Sequence, residues 1–273
     1  MRLGTGEPYI HAFPQPEQGA KAVVCIVHGM GEHGGRYRHV ADVLRGAGFA
    51  TYAIDQQGHG HASGKRGHAP SVLHLAEDAA RMVEQASERH PGLPVFLYGH
   101  SMGGNVALSC ALRKRPAIAG LILSSPWLRL AFEPSPLKVA AGRAIGAVWP
   151  TFTMQTGLKN GALYRNEKLQ GDDQRDQLMH TRISAALFFS LRDEGERSIG
   201  AAAELNVPLL LFHGTADSVT SYAASSELAG RLGDACTFLS VEGGYHELHH
   251  DSGSEQLLAK VADWIQNYAA RIQ

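Results

Sequence analysis

Cysteine is scarce in this chain: Cys25, Cys110 and Cys236 are the only three in 273 residues, odd in number and far apart. No CxxC pair or disulfide spacing occurs, which points to a reduced, cytoplasmic setting with each thiol inert in an apolar or strand-like stretch. Long hydrophobic runs are missing too. Nowhere do 18 apolar residues follow one another, and the N-terminal MRLGTGEPYIHAF lacks the apolar centre of a signal peptide, so neither a membrane span nor secretion is expected. Nor is there an excess of charge. Twenty-five Lys and Arg against 26 Asp and Glu leave a net charge of −1, without a long block of one sign. That removes the electrostatic footprint expected of a nucleic-acid binder or of a protein drawn to an anionic membrane surface.

Histidine, by contrast, is abundant, with 15 copies. The pairs His59/His61 and His249/His250 do not make an HExxH or other metal-ligand spacing, although His246 with His249 or His250 could share a helical face with Glu247. No metal and no cofactor is expected. With 44% hydrophobic residues the chain can bury one sizeable core, and a single domain carrying an insertion fits this length.

Short buried-strand runs alternate with helical runs: KAVVCIV, then YRHVADVLRG, FATYAID, VLHLAEDAARMVEQASER, LPVFLYG, MGGNVALSCAL, IAGLILS, and near the end VPLLLF, YAASSELAG, CTFLSV and SEQLLAKVADWIQNYAARI. This alternation predicts an α/β fold, a mostly parallel sheet with helices on both faces. His28, Asp55, Ser101, Asp217 and His246 all fall just after a strand run, where such sheets collect their sites. From Pro126 to Ala203 the alternation stops. LKVAAGRAIGAVWPTF and TRISAALFFSLRD read as helical, with no clear strand between. The expected division is therefore a core of residues 1–125 and 204–273 with a helical cap of residues 126–203.

GHSMG places Ser101 between the strand VFLY and the helix GNVALSCAL. A serine hydroxyl is a weak nucleophile, and the strained strand-to-helix turn serves to project it. Gly99 and Gly103 flank it because a Cβ at either position would crowd the turn, and the helix opening at Met102 aims its amides and dipole at the reacting oxygen. Such a serine needs a base and the base needs an orienting acid. Asp217 in LFHGTADS and His246 in VEGGYHEL are the candidates, with His249 and His250 as lesser rivals for the base. His28 and His100 read as loop supports. An oxyanion hole would take one amide from Met102 and, since His28-Gly29 turns the backbone inward, a second from Met30.

The segments VHGMGEHGGRY, DQQGHGHASGKRGH, YGHSMGG, LFHGTADSVTS and GGYHELHHD resemble the monoacylglycerol lipase and lysophospholipase group of the α/β-hydrolases, also grouped with serine aminopeptidase-like hydrolases. The resemblance covers both outer thirds of the chain and is weaker across the cap. It implies Ser101 as nucleophile, Asp217 as acid, His246 as base, and the Met30 and Met102 amides as the oxyanion hole. It also implies a central eight-stranded sheet, an inserted helical cap with an apolar lid facing lipid, and no metal or organic cofactor. Gln57 stands where the group more often has arginine. Met30 replaces a small residue, so its side chain is expected to narrow the acyl entrance. Glu32, Arg36 and Tyr37 match a recurrent pattern and read as an electrostatic brace.

The expected function is hydrolysis of the ester bond of monoacylglycerols or lysophospholipids through an acyl-enzyme. Gly29, His100, Trp149 and Phe188 are the candidate substrate contacts, and the cap is the candidate site of peripheral contact with a membrane or micelle. The same triad would also serve a broad carboxylesterase, a thioesterase or a metal-free perhydrolase. A non-catalytic receptor on this scaffold would usually have lost part of the triad. Epoxide and haloalkane chemistry is disfavoured because both need a carboxylate where this chain has Ser101.

Overall fold

The computed structural model describes residues 8–157, 160–165 and 175–271. Its central sheet is made of β1 (Tyr9–Ala12), β2 (Ala22–Val27), β3 (Phe49–Asp55), β4 (Val95–His100), β5 (Gly120–Ser124), β8 (Leu209–Gly214) and β9 (Cys236–Val241), in the order β1-β3-β2-β4-β5-β8-β9. Only β1 runs antiparallel. Strands β2, β3, β4, β5 and β8 are buried along their whole length, because a parallel sheet covered on both faces has no solvent side to alternate toward. Alternation instead divides the residues between two cores. Val23, Cys25 and Val27 face one cluster with residues of α2 (Val72–Arg89) and α3 (Met102–Arg113). Ala22, Val24 and Ile26 face the other, with α1 (Arg38–Gly46) and α7 (Ser254–Ala269).

Where the resemblance implies eight strands, the central sheet holds seven among the described residues. A second correction concerns the stretch from 126 to 203. Between α4 (Pro136–Val148) and α5 (Ala185–Gly200) lie two strands, β6 (Thr153–Gln155) and β7 (Arg182–Ser184), paired antiparallel with Thr153 opposite Ser184. Three residues each are too few to show a period in the sequence. Helix α5 packs on α3 and α2 and sends Leu187, Leu191 and Ile199 into the core. Its N-cap is Ser184, whose side chain accepts from the Leu187 amide; removing such a cap costs about 1 kcal/mol. Helix α6 (Tyr222–Leu232) lies between β8 and β9 in the chain. Among the described residues no helix is long and apolar enough to cross a membrane.

The chain builds β2, crosses to β3 on one side, then returns to β4 and β5 on the other. That reversal opens a crevice at the carboxyl ends of β2 and β4. The register pairs Val27 with Gly99, so the loop leaving β2 and the turn leaving β4 emerge side by side.

Candidate active site

Ser101 occupies that turn with φ 53° and ψ −118°, a left-handed conformation that costs a non-glycine residue on the order of 1–3 kcal/mol. Hydrogen bonds hold it there. The Ser101 amide donates to the Ser124 carbonyl at 3.0 Å, and the Ser101 carbonyl accepts from Gly104 at 2.9 Å and Trp127 at 2.8 Å. A Cβ on Gly99 would overlap the Gly103 carbonyl, and one on Gly103 would overlap the carbonyls of Val27 and His28. Both glycines are there for close backbone approach.

His246 reaches this serine from the loop after β9. Its Nε2 lies 2.9 Å from Ser101 Oγ and its Nδ1 2.7 Å from Asp217 Oδ2. A carboxylate only accepts, so Nδ1 carries the proton and the Nε2 lone pair faces the serine hydroxyl. All three side chains are buried. Burial alone depresses His246, but the Asp217 carboxylate, helped by Glu247 and Glu32, raises it above the usual histidine value. Burial opposes ionisation of Asp217, yet His246 and His213 hold its carboxyl far below the usual range. Its Oδ1 also accepts from the amides of Val219 at 2.7 Å and Thr220 at 3.1 Å.

The loop after β2 is braced as strongly. Gln56 N–H donates to His28 Nε2 at 3.1 Å, which leaves the ring proton on Nδ1 to donate to the Gly29 carbonyl at 2.7 Å. In a trans peptide the Met30 N–H then points the opposite way. The Gly29 amide donates to Glu32 Oε1 at 2.5 Å, so it is engaged rather than free for a substrate. Glu32 also accepts from Tyr37 Oη at 2.9 Å and Arg36 Nη1 at 2.6 Å, and Arg36 Nη2 bonds Glu247 at 3.0 Å. Buried as it is, Glu32 is kept below the usual carboxylate range by the Arg36 guanidinium. The link from Arg36 to Glu247 joins the loop after β2 to the segment beside His246, a connection the sequence did not disclose.

The other candidate contacts are scattered. A Cβ on Gly29 would sit 3.2 Å from Ser101 Cβ. His100 is buried beside His246, ring centroids 4.9 Å apart, and burial with that neighbour pushes it down to about 4. Met30 turns its sulfur toward His59 Nε2, 3.4 Å away. Phe188 and Trp127 pack edge to face at 5.9 Å and line a small open cleft with Leu128, Leu130 and Phe132 and the charged Arg129, Glu133, Arg192 and Glu196. Trp149 is not among its lining residues. It is 57% exposed, packed on Phe152, because α4 carries apolar residues on several faces and turns much of that surface outward.

Among the described residues, two groups bring ligating atoms within 4.8 Å of one another: His11, His33 and Asp55, and Glu247, His249 and His250. In the first, Asp55 Oδ1 already accepts from His11 Nε2 at 2.9 Å and from the Gly34 amide at 2.7 Å. In the second, Arg36 Nη2 lies 3.3 Å from His250 Nδ1, a fixed cation that opposes another beside it. Sequence reasoning also missed His213, whose Nε2 lies 3.0 Å from Asp217 Oδ2. Its place four residues before Asp217 was the only signal.

A family described as serine aminopeptidase, S33 matches residues 18–253. A monoacylglycerol lipase from Mycolicibacterium smegmatis is 31% identical over 255 residues, covering 93% of this chain and 91% of that protein. The crystal structure of the monoacylglycerol lipase of Paleococcus ferrophilus superposes with a TM-score of 0.85 at 35% identity, over 96% of this chain and 99% of that one. An abhydrolase domain-containing protein of Dictyostelium discoideum, 32% identical, is much longer: the chain spans 26% of its length. The chain is thus a hydrolase of the serine aminopeptidase S33 family, in the monoacylglycerol lipase group of the α/β-hydrolase superfamily.

Proposed function

We propose that this chain hydrolyses the ester bond of a monoacylglycerol or a related lipid monoester such as a lysophospholipid, through an acyl-enzyme on Ser101. The observation that carries this reading is the continuous chain of hydrogen bonds from Ser101 Oγ through His246 to Asp217. His246 Nε2 takes the hydroxyl proton as Ser101 attacks the carbonyl carbon, and Asp217 stabilises the imidazolium. The tetrahedral oxyanion is received by the Met30 and Met102 amides. His246 then protonates the leaving alcohol, and water repeats the sequence on the acyl-enzyme. The mechanism asks for neither metal nor organic cofactor.

Residues 126–203 serve as the cap in this reading. The cleft within this stretch, walled by Trp127, Leu130, Phe132 and Phe188 with four charged side chains around them, would receive the acyl chain. Trp127 N–H bonds the Ser101 carbonyl, so this wall begins beside the nucleophile. Leu137 (79% exposed), Val148 (89%) and Trp149 (57%) on and beside α4 offer an apolar surface to a membrane or micelle. The three free thiols suit a cytoplasmic location, with membrane contact peripheral.

Turnover measured on monoacylglycerols and lysophospholipids from acetyl to palmitoyl tests the substrate class. A rise in kcat/KM with chain length is expected, and Phe188→Ala is expected to weaken long chains selectively, by about tenfold. A flat profile peaking at acetyl would favour a small-ester esterase, the second reading that the same triad supports.

The pH profile follows from His246. The base must be neutral, and its imidazole is raised above the ordinary value. Activity should therefore fall as pH drops through an acid limb above about 6.5. An acid limb below that value would contradict the assigned electrostatics.

A further inference from the structure

We infer that His213 is a positioning residue for the reaction: it pins the Asp217 carboxylate in the orientation that His246 requires. The inference rests on the triad reading above. His213 lies near the end of β8 and is fully buried. Its Nε2 approaches Asp217 Oδ2 at 3.0 Å, the same oxygen that His246 Nδ1 meets at 2.7 Å. Because the carboxylate only accepts, His213 Nε2 carries a proton, and Nδ1 is the lone pair that takes the Ser225 hydroxyl proton at 2.7 Å. Ser225 stands in the first turn of α6, so a neighbouring helix fixes the tautomer. Tyr222 packs its ring edge to face on the imidazole at 5.8 Å.

The result is a directed series of donors: Ser225 to His213, His213 to Asp217. The Thr220 hydroxyl lies 2.9 Å from the same Oδ2, while Oδ1 is held by the Val219 and Thr220 amides. Both carboxylate oxygens are thereby committed, and rotation of the group would break several bonds at once. The His213 N–H also draws charge away from Oδ2. Its loss would leave more negative charge for the His246 imidazolium, which raises the basicity of His246 while loosening its orientation. The other ionisable groups acting on His246 are Glu247 and Glu32, with His100 packed beside it; none changes in the variants below.

His213→Leu, His213→Gln and Ser225→Ala are compared with the intact protein for kcat, KM, pH profile and thermal unfolding on a chromogenic ester. Leucine fills the space without a donor; it should lower kcat about tenfold, the scale of one hydrogen bond to a charged group. KM should hardly change, and the acid limb should move to higher pH. Glutamine keeps an N–H near Oδ2 and should recover most of kcat and return the limb. Should His213→Leu not fold, Ser225→Ala retains the imidazole but frees its tautomer, and the same limb shift should appear at smaller size. An unmoved limb in the folded variants, or equal impairment by Leu and Gln, would show that His213 only packs and overturn the inference. Failure of the triad reading shows separately, as full turnover in Ser101→Ala.

Discussion

Replacing Ser101 with alanine is expected to lower kcat by about 10⁴–10⁶-fold, the range of triad knock-outs elsewhere, with little change in thermal stability. The loss is large because Ser101 is the hydroxyl that His246 Nε2 faces at 2.9 Å. Stability should hold because alanine meets the same backbone demand as serine. The φ of 53° strains both residues alike, and the bonds that fix the turn come from the backbone of residues 101, 104, 124 and 127. His246→Ala should fall into the same range, since base and nucleophile act as one unit. Residual turnover would come from the oxyanion amides and the cleft alone. Steady-state kinetics paired with thermal unfolding checks both parts. A folded Ser101→Ala protein with turnover within tenfold of the original would place the nucleophile elsewhere.

The second large effect is expected at Asp217→Asn, a loss of about 10⁴ in kcat, as when the equivalent acid is made an amide in another triad. Five donors converge on this carboxylate: two backbone amides on Oδ1, and His246, His213 and Thr220 around Oδ2. An asparagine offers one accepting oxygen. If that oxygen stays toward His246, its NH₂ group meets the amides of Val219 and Thr220, donor against donor. If it turns, the NH₂ faces His246 Nδ1 and drives the ring to the tautomer whose Nε2 carries a proton, which cannot accept from Ser101. Either orientation is penalised, and stability should fall as well, by about 1–3 kcal/mol for donors left unpaired. Kinetics and unfolding of this one variant read both effects. Near-normal turnover would mean that another group is the acid.

The residues of the candidate site were legible where a glycine loop followed a strand run. Ser101, Asp217 and His246 each stand just after such a run, and the parallel sheet brings strand ends to one edge. His213 was hidden because a histidine inside LLLFHG reads as part of the strand, and its partners Asp217 and Ser225 become neighbours only when the following helix folds back. The tie between Arg36 and Glu247 spans 211 residues, beyond the reach of any local pattern. In the stretch between β5 and β8, Phe188 and Trp149 looked alike in sequence, both bulky and apolar in helical surroundings. Packing separates them: α5 is anchored on α3, so Phe188 meets Trp127, whereas Trp149 ends a helix with much of its surface outward. The hairpin of β6 and β7 is too short for a period to emerge.

Reaction of the folded protein with a fluorophosphonate, followed by mass-spectrometric mapping of the adduct, tests the central assignment most directly, because the probe reports the nucleophile without knowledge of the substrate. Covalent modification should fall on Ser101 alone and should be abolished by Ser101→Ala and strongly slowed by His246→Ala. A folded protein left unmodified would contradict the account and return the scaffold to the ligand-receptor reading, and modification at another residue would contradict it by placing the nucleophile elsewhere.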